Sequence, residues 1–89
     1  MSVLSEAVIK ELKQLKELNA HGEAYLLAAQ TLGLTALANQ FAEMNKIKQQ
    51  KGGLPPELVH KQYDAYQRLL LEAITIIPLE EYHEFYMCF

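Results

Sequence analysis

Two proline-bearing breaks, Pro55-Pro56 and Pro78, bracket the longest amphipathic stretch of the chain and fix where its longest helix must lie. Proline fits the first turn of an α-helix, where an N–H has no intrahelical partner to lose. In the interior it breaks the hydrogen-bond ladder. Between the breaks, Val59, Tyr63, Tyr66, Leu70, Ala73 and Ile77 recur at alternating steps of four and three. That spacing holds side chains on one helical face. Leu58, Ala65, Leu69 and Ile76 flank the stripe and widen the apolar arc to about half the circumference, more than a single helix pair requires. The pattern predicts a long central helix over about 56–77 that touches two neighbours, with Val59, Tyr66, Leu70 and Ile77 in the core.

The remaining segments read as helices as well. Leu4, Val8, Leu12 and Leu15 line one face of a first helix that begins at Ser2 or Ser5 and ends near Leu18. Asn19-Ala20-His21-Gly22 reads as a turn, because asparagine and glycine tolerate the left-handed backbone that ends a helix. The run 23–32 is apolar on nearly every side, the mark of a buried helix, and Gly33 stops it. Thr35 is placed to cap a third helix reaching about Gln50, with Leu34, Leu37, Phe41, Met44 and Ile47 as its inner stripe. The polar stretch from Asn45 to Lys51 suggests that its end frays or projects. After Pro78, a short aromatic helix spans Leu79 to Phe89. No segment alternates as a half-buried strand does. The expected fold is all-α, a bundle of four to five helices, with residues 1–89 forming a single domain.

Composition narrows the function classes. At 89 residues a chain buries only about 60–65 % of its unfolded surface, yet 51 % of this one is hydrophobic, which implies a dense core or a shared interface. Its apolar runs are too short to span a bilayer, and charged residues from Glu6 to Lys13 interrupt any secretion-signal pattern. The single cysteine, Cys88, rules out a disulfide framework within the chain and points to a cytoplasmic setting. A net charge of −3 with one arginine, Arg68, argues against nucleic acid as the main partner.

Three constellations bear on chemistry. Glu57-x-x-His60 and Glu80-x-x-His83 have the spacing found in carboxylate-bridged di-metal bundles. Both follow a proline in a first helical turn, where glutamate is favoured by the helix dipole alone, so no metal site and no cofactor is assigned. Around Gly33 the chain has the outline of a helix-turn-helix corner, whose DNA-reading residues would be Asn39, Gln40, Lys46 and Lys48. That alternative, a DNA-binding transcriptional regulator, lacks basic residues where a recognition helix starts. Tyr82, Phe85, Tyr86 and Phe89 crowd four rings into eight residues on a helix too short to stand undocked. They close the core, or they offer an aromatic face to another protein. Self-association as a homodimer is expected, through this aromatic face in preference to the Leu4-Val8-Leu12-Leu15 face. No residue set suggests catalysis. The sequence reads best as a non-enzymatic protein-binding module: an adaptor, a small inhibitor, or a regulatory subunit that covers a basic surface of its target.

Overall fold

Ser5 sets the start of the first helix. In the computed structural model, which describes residues 4–89, the Val8 amide donates to Ser5 Oγ at 3.2 Å and α1 runs Glu6–Glu17. The other candidate cap, Ser2, lies outside the described residues. Asn19 closes the helix in the left-handed conformation (φ 56°), and the Ala20 amide reaches back to the Leu15 carbonyl at 2.9 Å. There the expected four-residue turn is cut short, because α2 already spans His21–Thr31.

Gly22 is therefore helical and buried, not part of the turn. Its role is close approach: a Cβ at this position would overlap Asn45 Oδ1 and press on Gln62 Nε2 at 3.2 Å. The Asn45 side-chain oxygen and nitrogen, like Glu23 Oε2, are buried without a hydrogen-bond partner. Alanine in place of a helical glycine ordinarily stabilises by about 0.5–1 kcal/mol. Here Gly22→Ala is expected to destabilise by about 1–3 kcal/mol through overpacking. The sign should reverse in an Asn45→Ala background, so chemical denaturation of the four chains in a double-mutant cycle checks the contact.

Gly33 (φ 73°) turns the chain from α2 into α3, Thr35–Lys51. The N-cap is Leu34 and not Thr35, with no side-chain cap, because the left-handed glycine starts the helix one residue early. Leu37, Phe41 and Met44 are buried as the stripe predicts, and Leu34 and Ile47 are half-buried. The polar end stays helical to Lys51, where Gly52 (φ 69°) caps it. Pro56 opens α4, Pro56–Ile76, and Pro78 separates it from α5, Leu79–Tyr86. α5 stops three residues short of the expected Phe89, because the chain tightens into a turn after Tyr86, with the Cys88 amide donating to the Phe85 carbonyl at 3.0 Å.

The architecture is an all-α bundle of five helices, and no strand occurs among the described residues. α2 is embedded among α1, α3 and α4, and α4 packs on α2, α3 and α5. The stripe on α4 needs correction. Its buried residues are Ala65, Leu69, Ala73 and Ile77, whereas Val59 is 49 % exposed and Tyr66 and Leu70 are half-buried. The inward face is thus turned toward what the sequence presents as the flank. Small residues at Ala65 and Ala73 allow α2 and α3 close access there, and a tyrosine row does not.

Candidate interaction surface

The aromatic side chains divide into a core set and a surface set. Tyr25 of α2 is the hub of the first: its ring stacks on Tyr66 at 4.7 Å and meets Phe41 at 5.4 Å and Phe89 at 5.7 Å. Phe85 is fully buried and edge-on to Phe89 at 5.1 Å. Among the four C-terminal rings, Phe85 therefore closes the core, Tyr82 and Phe89 are half-buried, and only Tyr86 is largely exposed. The Tyr82 hydroxyl donates to the Leu70 carbonyl at 3.2 Å, which pins α5 along α4. At its other end, Lys16 Nζ donates to the Met87 carbonyl at 3.3 Å and ties α5 to α1.

On α4 the outward residues are Val59, Tyr63, Leu71 and Ile74. Tyr63 is 59 % exposed and Tyr86 of α5 is 52 % exposed, and both hydroxyls lie close enough to Tyr66 to act on it electrostatically. The Tyr66 hydroxyl is pushed up to about 12, first by burial and then by its neighbours Tyr25, Tyr86, Tyr82 and Tyr63. At neutral pH it is an uncharged phenol at the inner edge of an apolar face. The charges of α4 lie elsewhere. At about 100° per residue, Glu57, Lys61, Asp64, Arg68 and Glu72 fall within an arc of about 80°, roughly opposite the line Val59-Tyr63-Leu70-Ile74.

That charged side borders a groove of about 510 Å³ between α3 and α4, floored by Met44, Ile47 and Leu58 and rimmed by Glu43, Asp64 and Arg68. Gln40 lines it too, whereas Asn39 and Lys46 stand exposed on the outer face of α3 beside Glu43. Lys48 is half-buried about 160° around the helix from Lys46. The four residues of the DNA-reading alternative thus do not converge on one surface. The two Glu-x-x-His pairs are exposed on separate helices, and no group of three metal-ligating side chains occurs among the described residues. Cys88 is buried, its thiol donates to the Glu84 carbonyl at 3.2 Å, and burial pushes that thiol up, away from the reactive thiolate. None of the described helices is long and apolar enough to cross a membrane.

Sequence reasoning missed Tyr63 and Val59 as surface residues and Tyr25 as the core hub. A signal for the first was present: the stripe 59–77 sits beside an arc free of charge, more apolar surface than inward packing uses. Comparison of the chain with protein-family models, curated proteins and solved structures returns no match.

Proposed function

We propose that this chain is a non-catalytic protein-binding module, an adaptor, inhibitor or regulatory subunit of a larger assembly, whose contact surface is the outer face of α4 with Tyr86 of α5. One observation carries the reading: every formal charge of α4 is segregated away from a face where Val59, Tyr63 and Ile74 are exposed, with exposed Leu71 at the border between the two. Solvated helix faces carry charge, and tyrosines set among aliphatic residues are favoured anchors at the centre of protein contacts. The net charge of −3 gives the chain an acidic balance. Such a balance suits a target with a basic surface, and it would steer association in a salt-dependent way. A reducing compartment, the cytoplasm, fits a chain whose one thiol is buried and unpaired with another.

The test is affinity purification from a native host with three baits: the wild-type chain, Tyr63→Asp and Tyr86→Asp. The expected outcome is a protein retained by the wild type and lost from both variants, whose helical circular dichroism stays unchanged. Equal retrieval by all three baits would move the contact elsewhere. Recovery of no protein, together with a duplex-DNA shift at low salt, would favour the regulator instead.

A further inference from the structure

The outer face of α4 has an internal symmetry. Val59 and Ile74, and likewise Tyr63 and Leu70, lie at equal distances along the chain from the midpoint between Tyr66 and Gln67. We infer that a second copy of this chain docks here, α4 against α4 in antiparallel fashion about a two-fold axis at Tyr66 and Gln67, placing Val59 against Ile74 and Tyr63 against Leu70. The inference rests on the reading of this face as a binding surface and names one occupant for it.

Electrostatics makes the pairing specific. A two-fold interface sets each patch against itself, so a charged residue near the axis meets its own like. On α4 the axis residues are a tyrosine and a glutamine, and the arc from Tyr66 through Val59 and Tyr63 to Gln67 holds no charged side chain. Its five charged residues lie on the groove side, clear of the pairing. Area sets the strength. A whole aromatic side chain offers about 150–250 Å². Tyr63 and Tyr86, 59 % and 52 % exposed, therefore supply about 200 Å² between them. With Val59 and Ile74 the face reaches about 400 Å² per copy and about 800 Å² in a pair, the size of a weak, transient contact and well short of an obligate one. The pair is accordingly a concentration-dependent dimer, and a heterologous partner on the same face would compete with it.

Sedimentation equilibrium on the full chain tests this. The wild-type mass should rise with concentration from 10.2 kDa toward twice that value. Gln67 is exposed, so its replacement leaves the fold intact. Gln67→Glu and Gln67→Lys should each stay at the monomer mass, because each sets like charges together at the axis. An equimolar mixture of the two should recover the dimer. A wild-type mass of 10.2 kDa at every concentration overturns the inference. So does a Gln67→Glu chain that pairs as well as the wild type, or a mixture that fails to pair. A monomeric wild type that still retains a Tyr63-dependent partner removes the second copy and leaves the binding reading standing.

Discussion

Phe85→Ala is expected to lower the free energy of unfolding by about 3–5 kcal/mol, a large share of the ~5–15 kcal/mol that holds a domain of this size together. The ring is fully buried and faces Tyr82 and Phe89 at 6.1 and 5.1 Å. α5 has only eight residues, so it has almost no stability apart from that anchorage. At about 4–8 °C per kcal/mol for a small domain, the melting midpoint should fall by at least ~12 °C. Tyr86→Ala, one residue along and half exposed, is expected to change stability by no more than about 0.5 kcal/mol. The contrast separates the two roles that the C-terminal rings can take. Equal effects at both positions would mean that α5 docks differently, and thermal denaturation followed by circular dichroism reads both chains directly.

Much of this fold was legible in the sequence. Proline and glycine placed both ends of α3 and α4 and the start of α5 within a few residues, because each acts through its own backbone geometry and needs no tertiary context, whereas the end of α5 has no such marker. The inner stripe of α3 was legible for a related reason: leucine, phenylalanine and methionine recur there on a helix otherwise polar, so only one face can turn inward. α4 is the harder case. Its arc is apolar over about half the circumference, and periodicity cannot say which part of so wide an arc faces the core. The deciding factor was size. Ala65 and Ala73 let neighbouring helices approach, and the face carrying Val59 and Tyr63 was left outside. Gly22 illustrates a second limit: a glycine near an expected turn looks like a turn residue, and its contact with Asn45, more than twenty positions away, exists only once the helices pack.

The candidate surface was legible only in part. The C-terminal aromatic run drew attention to α5, yet packing took Phe85 inward and left Tyr86 as its one largely exposed ring. Tyr63 lies on another helix, and only in the folded chain do it and Tyr86 both come near Tyr66. A surface assembled from two elements leaves no contiguous motif to read.

The central claim is that α4 has two apolar faces with different duties: Ala65, Leu69 and Ala73 hold the bundle together, and Val59, Tyr63 and Ile74 remain available outside. Urea denaturation of Leu69→Ala beside Val59→Ala and Tyr63→Ala, at a concentration where the chain is monomeric, measures this most directly. Leu69 is fully buried, so its truncation should cost about 2–5 kcal/mol. Val59 and Tyr63 are 49 % and 59 % exposed, and alanine favours a helix at least as well as either, so both variants should lie within about 0.5 kcal/mol of the wild type. The contrary result, a large loss at Val59 or Tyr63 with little change at Leu69, would put the tyrosine stripe in the core and leave no outer face to bind with.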